Sequence, residues 1–452
     1  MQLDVQPRIV VVGGGVSGLH TAYRLQKALP LSSVTVLEKD NHVGGHLWQI
    51  PLSSQERAAT GIVVTLPGSS RLRRLCRELL QRDLVQAAQG FQGVMDVTQD
   101  TPALHWMQAR SPVRHAPRVV MLAWLAQGFV RYAAHHRRLL GPNYDTTFPS
   151  EWTNAEELKT PLPAWLRRHR LESLTTFFEL VLRCYGYGPL NEVPVLYALL
   201  YVSAETALTF VREPFHSGSE VLPGGFYPLA QAMASRVKHV HTGITLTAVE
   251  RNKRSGTWTV HARDGRKWQA DAVVWACPPS VVRRLCPVAV FRRILTRFQT
   301  QTISAHVVEH AWTSRDRKRL PLQQVWTVDE SRTPMVGLFE NRAVSLSPLP
   351  RVTTVFLMWN HDKYRPSTAN QVWRRIARPQ GCLLGEKVWR KCFPHWRPGP
   401  DVEKFFALHQ HQGTQNHWLV GNYCSFDCME AVIKQSQHVV DRVVHSLQHF
   451  HS

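Results

Sequence analysis

Gly13, Gly15 and Gly18 stand in the stretch RIVVVGGGVSGLHTAYRL, after a short apolar run and before a stretch with helical periodicity. Glycines at this GxGxxG spacing cradle a phosphate. The first permits a tight turn, the second lets the backbone approach a pyrophosphate, and the third lets the helix pack on the strand. The free N–H groups of the helix start then face the anion. Val16 and Ser17 fall in that first helical turn and join the candidate phosphate contacts. About twenty residues past Gly18, the next apolar run, SSVTVLEKD, ends in Glu38, followed by Lys39. A carboxylate at that distance accepts the hydroxyls of an adenosine ribose and disfavours a 2′-phosphate, so the ligand is a dinucleotide other than NADP.

HVGGH, with Gly44, Gly45 and His46, follows the second strand directly. That placement is familiar from FAD-binding oxidoreductases and not from NAD dehydrogenases, so FAD is the expected cofactor. No cysteine or histidine sits in a recognised attachment motif, and the flavin is expected to be noncovalent.

The elements that position these groups recur late in the chain. From about Tyr227 the sequence reads as a helix, a short strand, a hairpin around ARDGRKW and the strand DAVVWACPP. The strand before the hairpin would lay its backbone near Leu246 against adenine, although burial in a core explains Leu246 equally well. A third segment, NHWLVGNYCSFDCMEAV, reads as strand, glycine turn at Gly421 and a long final helix. The expected fold class is therefore α/β: a Rossmann-like FAD-binding domain interleaved with a helical-plus-sheet substrate domain. Residues 1–70, 216–284 and 413–452 form the first, and 71–215 and 285–412 the second. VTTVFLMW, in the latter, alternates like a strand.

Composition limits the alternatives. At 452 residues, 44% hydrophobic and with 15 tryptophans, the chain is globular and long enough for two cores. Its 54 Lys and Arg against 33 Asp and Glu leave +21, which suits an acidic substrate or peripheral contact with an anionic membrane, or is simply a solvated surface. The arginines are scattered through the chain rather than gathered in an arm, so nucleic acid is not the expected partner. Eight cysteines without a CxxC pair indicate neither a zinc site nor a disulfide framework. MQLDVQP lacks the pattern of a secretory signal, and no apolar run is long enough to span a bilayer; a soluble cytoplasmic protein is expected.

With its three nucleotide segments in this order, the chain resembles the flavin-containing amine oxidoreductase superfamily, and within it the polyenoic fatty acid isomerases. The resemblance rests on DNHVGGH, TGIVVTLPGSSRLRRL with Gly61, PLPAWLRRH, CYGYGPLNEVPVLYALLYVSAETALTF and GNYCSFDCMEAV. It implies an amine-oxidase-like two-domain architecture. It also implies double-bond shifts along a polyunsaturated acyl chain, by hydride transfer to the flavin and back. Such chemistry needs an apolar tunnel more than acids and bases. Tyr187 and Phe210 are the candidate catalytic-site walls, with Tyr185 and Tyr197 beside them, and the resemblance places Phe210 near the substrate carboxylate. It adds Gly61, Gly421, Asn422 and Glu430 to the cofactor contacts. Ordinary core packing is the competing account of each aromatic residue.

Two departures bear on function. The branch's carboxylate-binding arginine has no counterpart, because residues 83–104 contain no Lys or Arg; His105 and Arg110 are the substitutes in reach. Asn422 stands where the superfamily usually places an acid on the ribityl hydroxyls, and an amide both donates and accepts there. Two other functions remain open: an oxidase or desaturase of the superfamily acting on amines, porphyrinogens or carotenoids, and a non-catalytic flavin-binding protein using its basic surface for anionic partners.

Overall fold

The computed structural model describes residues 6–53, 56–61, 65–66, 68–86, 92–95, 117–141, 155–212, 220–252, 255–309, 324–327, 335–340, 352–360, 365–377 and 382–449. The strand β1 (Arg8–Val12), the helix α1 (Val16–Ala28) and the strand β2 (Ser33–Leu37) open it. β1 lies at the centre of a five-stranded parallel sheet. The order across that sheet is His417–Leu419, Ala272–Trp275, β1, β2, His239–His241. Three stretches far apart in the chain thus build one sheet.

Strand polarity explains why these runs are apolar without a break. Ile9, Val11, Val34, Val36, Ala272 and Val274 point into one core, shared with α1 and the final helix Met429–His449. Their neighbours Val10, Val12, Leu37, Val273 and Trp275 point into the other, which runs on into the helical lobe. Side chains alternate across a strand, so a sheet covered on both faces reads as a continuous hydrophobic run.

The second sheet has six strands, in the order Cys382–His395, Gln299–Glu309, Val352–Asn360, Met335–Glu340, Gln324–Thr327, Gln92–Met95. Its pairs are antiparallel except the last, where Gln324–Thr327 runs parallel to Gln92–Met95. Cys382–His395 is the edge strand, and its pairing with Gln299–Glu309 slips near Gln299, Gln301 and Val307. Within it Lys391 and Phe393 take positive φ, +60° and +50°, the local re-aiming expected of bulges beside a functional cavity.

The helical lobe is held by aromatic packing and a few hydroxyls. Tyr132, buried in the helix Arg118–Leu140, donates to the carbonyls of Ala198 and Val202, each at 2.9 Å. Those carbonyls lie at the end of Val195–Tyr201, just before the chain bends into Ala204–Arg212. Among the described residues no single helix is long and apolar enough to cross a membrane. These two helices pass that test only as a pair, bent by 61°.

Candidate functional site

β1 ends where the chain must turn sharply under a neighbouring strand. Gly13 has φ +114°, and a Cβ there would lie 2.4 Å from the carbonyl oxygen of Ala276. Gly18, one turn into α1, would put a Cβ 2.0 Å from the carbonyl oxygen of Gly13. No side chain fits at either position, so helix and strand meet backbone to backbone. Gly15 differs: it precedes α1, and a Cβ there meets nothing within 4 Å. The start of α1 carries no capping side chain and no acid in its first turn. Its N–H groups therefore face open space, as an anion site requires.

That space is a cavity of about 650 Å³, within the size range of cofactor sites. All three nucleotide segments reach it. Gly13, Gly15, Val16, Ser17, Glu38, Lys39, Gly45 and His46 come from the first, Leu246 from the second, and Gly421 and Asn422 from the third. The segments also meet each other: a Cβ on Gly421, where φ is +133°, would come within 3.8 Å of Ser17 Oγ. Gly44 lies just behind the wall, its N–H donating to the Gly14 carbonyl at 2.7 Å and its backbone bridged to Gly15.

Glu38 is fixed before any ligand arrives. Its Oε2 accepts from the Gly14 N–H at 2.6 Å and its Oε1 from the Asp40 N–H at 2.8 Å. A carboxylate offers about four acceptor positions, so two remain for ribose hydroxyls. The arrangement fits an adenosine dinucleotide: hydroxyl acceptors at one end, an uncapped helix start at the centre.

Asn422, Asp427 and the bulged edge strand complete the lining. Asn422 Nδ2 donates to Asp427 Oδ2 at 2.8 Å, while its Oδ1 accepts from the Tyr423 N–H. The amide that replaces the expected acid is therefore engaged with an acid five residues on. Asp427 is 5% exposed. Burial raises its carboxyl above the ordinary range, against the opposing pull of His46 and the Asn422 amide. Cys392 Sγ lies 3.6 Å from His46 Nε2, and the Trp389 ring meets His46 edge-on at 5.8 Å.

Several expected site residues sit elsewhere. Glu430 turns away from the cavity: its carboxylate accepts from the N–H groups of Arg71 and Leu72, at 3.1 and 2.9 Å, and meets the Arg71 guanidinium. It caps the start of the helix Ser70–Leu80, whose free N–H groups attract a carboxylate more strongly than a solvated ribityl chain would. Gly61 is required by His46 rather than by the flavin, since a Cβ there would lie 1.8 Å from the His46 carbonyl oxygen.

Tyr187 is buried, stacked on Phe426 at 4.6 Å, and its hydroxyl accepts from the Asp427 N–H at 3.3 Å. It supports Asp427 from behind and does not line the cavity. Tyr185 and Tyr197 pack into the same core, and Tyr197 Oη accepts from the Trp396 N–H. Phe210 lies in a ring cluster with Phe129 and Phe177, at 5.2 and 5.5 Å. Tyr187 and Tyr197 are buried, whereas Tyr185 and Phe210 are partly buried against the same core. His105 and Arg110 lie outside the described residues.

Sequence reasoning missed Asp427 and the wall formed by Lys387–Lys391. The acid does stand in SFDCMEAV, directly before the last helix, but the register of that helix decides which of Asp427 and Glu430 faces inward.

The family model of flavin containing amine oxidoreductases matches residues 16–444, and the chain belongs to that family. Among solved structures it is similar to the CLA-producing fatty acid isomerase from P. acnes. Identity there is 18%, the TM-score 0.74, and 98% of this chain and 99% of that one are covered. It is also similar to cyclohexylamine oxidase from Brevibacterium oxydans IH-35A, at 14% identity, TM-score 0.67 and coverage of 98% and 100%. Wild-type putrescine oxidase bound to putrescine aligns at 16% identity, TM-score 0.65 and coverage of 98% and 99%. These likenesses establish the two-domain amine-oxidase fold. No curated protein sequence matches the chain.

Proposed function

We propose that the chain binds FAD noncovalently and shifts double bonds along a polyunsaturated fatty acid. The observation that carries this reading is the interior end of the cavity. The buried carboxyl there, Asp427, is gripped by the Asn422 amide at 2.8 Å, and burial raises its pKa. Val388, Trp389 and Pro394 add apolar side chains to the cavity wall. Similarity to the fatty acid isomerase, and the segment Cys184–Phe210 that resembles that branch, favour an acyl substrate over an amine.

A bound flavin would supply the redox chemistry, accepting a hydride from one carbon and returning it to another with no net oxidation. The chain's own part is to hold and shield. Glu38 and the start of α1 fix the dinucleotide lengthwise, and the Gly421–Asn422 turn closes on its far end. Two cysteines line the cavity, Cys277 and Cys428. Burial pushes the Cys428 thiol up to about 12 and raises that of Cys277 as well. Neither offers a thiolate for attachment to the flavin, which supports noncovalent binding.

The test is anaerobic incubation of the flavin-loaded protein with a polyunsaturated fatty acid, followed by ultraviolet absorbance. Conjugated diene should accumulate without oxygen. Peroxide formation from an amine or another donor in air, with no diene, would assign the protein to the oxidases instead. Flavin bound but inert toward every donor would leave it a binding protein.

A further inference from the structure

The dinucleotide reading raises a question of charge. A pyrophosphate brings two negative charges, yet the first nucleotide segment contributes Glu38 and Asp40 to the cavity wall and, among the described residues, only Lys39 as a permanent cation. Lys39 is itself paired with Asp40 at 3.2 Å. The other cations of the cavity wall are Arg284, from the helix Pro279–Leu285, and Lys387, Arg390 and Lys391.

The edge strand Cys382–His395 of the second sheet supplies three of these four. This strand crosses the nucleotide domain and is pinned to it at both ends of a short interval. Lys387 Nζ meets Asp40 Oδ2 at 3.5 Å, and Cys392 Sγ meets His46 Nε2 at 3.6 Å. Asp40 lies just beyond the ribose carboxylate. His46 follows Gly45, whose Cβ would touch the Gly15 Cα at 3.1 Å. The interval between the pins thus passes over the glycine turn, and it carries Arg390 and Lys391, both exposed and both lining the cavity. Lys391 has no hydrogen-bond or ion-pair partner among the described residues. It sits at positive φ beside the register slips that bend the strand, a backbone state that costs a lysine energy and is kept where surroundings demand it.

We propose that Lys387–Cys392 is a clasp over the cofactor pyrophosphate, with Arg390 and Lys391 neutralising its charge from the substrate lobe while α1 holds it from the nucleotide lobe. The proposal rests on the FAD reading. It makes cofactor affinity a property of both lobes, and makes the salt sensitivity of binding depend on two residues outside the nucleotide fold.

The experiment measures FAD affinity of the purified apoprotein by quenching of flavin fluorescence, across a salt series, for wild type and Arg390→Gln/Lys391→Gln. The expected result is a loss of about tenfold or more at low salt, as for removal of charge-assisted hydrogen bonds, with a shallower salt dependence. Lys267→Gln/Arg293→Gln, which removes two exposed cations not lining the cavity, should leave both unchanged. ADP, which keeps the pyrophosphate and lacks the flavin, should show the same loss as a competitor. Equal affinity and equal salt slope in wild type and the clasp variant would overturn the clasp while leaving FAD binding intact. An equal loss in the control pair would reduce the effect to net charge and overturn it as well. A wild type that takes up no FAD would instead refute the reading on which it rests.

Discussion

Acid should loosen this protein through three buried histidines, His20, His409 and His417. His20 of α1 receives the Arg24 Nε–H on its Nε2 at 3.4 Å, so its Nδ1–H donates to Ser436 Oγ of the final helix at 2.7 Å. His417 Nδ1 accepts the Trp275 indole N–H at 2.9 Å, linking the second and third segments. His409 Nε2–H donates to the Cys424 carbonyl at 2.9 Å. Each ring is neutral, and burial lowers each pKa from 6.5 to about 3. A base whose pKa is depressed by folding contributes stability above its unfolded value, and loses it as pH falls from 6.5 toward 3. Between pH 7 and pH 5 each histidine then costs about 2 kcal/mol, and the three together about 6 kcal/mol. That is a large share of the roughly 5–15 kcal/mol that holds a typical domain folded. Denaturant titrations of the apoprotein, followed by tryptophan fluorescence at pH 7 and pH 5, read this directly. His20→Gln/His409→Gln/His417→Gln keeps donors and acceptors but cannot titrate, so it should lose about 6 kcal/mol less than wild type over the same interval. Single variants should each remove about 2 kcal/mol of the dependence. A triple variant as acid-sensitive as wild type would refute the argument.

Glu38→Gln should weaken FAD binding and destabilise the apoprotein, by about 1–3 kcal/mol each, because the carboxylate already holds the Gly14 and Asp40 N–H groups; calorimetry with and without FAD separates the two effects. Asp427 has the opposite pH sign to the histidines: a carboxyl raised by folding loses stability as pH rises above its ordinary 3.8. Asp427→Asn should therefore be more stable than wild type at pH 8, with the advantage vanishing toward pH 4 in the same denaturant assay. Phe210→Leu should lower Tm by about 1 kcal/mol equivalent and leave turnover per bound flavin unchanged, since its contacts are Phe129 and Phe177; an altered product pattern would return Phe210 to the substrate path.

What the sequence revealed was local. The glycine turn, Glu38 and Leu246 were legible because spacing along one βαβ unit or one hairpin fixes where such residues stand. The alternation in VTTVFLMW likewise identified the strand Val352–Asn360. Contacts between distant segments were not legible. Nothing near Glu430 signals that the start of Ser70–Leu80 will lie against it, and nothing near Lys391 signals that its strand will line the same cavity as Gly15. The aromatics of Cys184–Phe210 were ambiguous for the same reason. Tyr187 and Phe210 suit a tunnel or a core equally by composition, and only the packing around them separates the buried Tyr187 from the partly buried Phe210.

The sheet order has a consequence for how the protein is made. β1 and its phosphate turn are synthesised early, but their flank is Ala272–Trp275, and the wall beyond comes from His417–Leu419 and the Gly421 turn. A nascent chain therefore carries the glycine turn long before the strand whose Ala276 carbonyl closes on it. Contacts this distant in sequence also slow folding, because loops of hundreds of residues must close before they are rewarded. The cavity wall itself draws on residues as late as Val432, so a flavin would be enclosed only once the start of the helix Met429–His449 has been made.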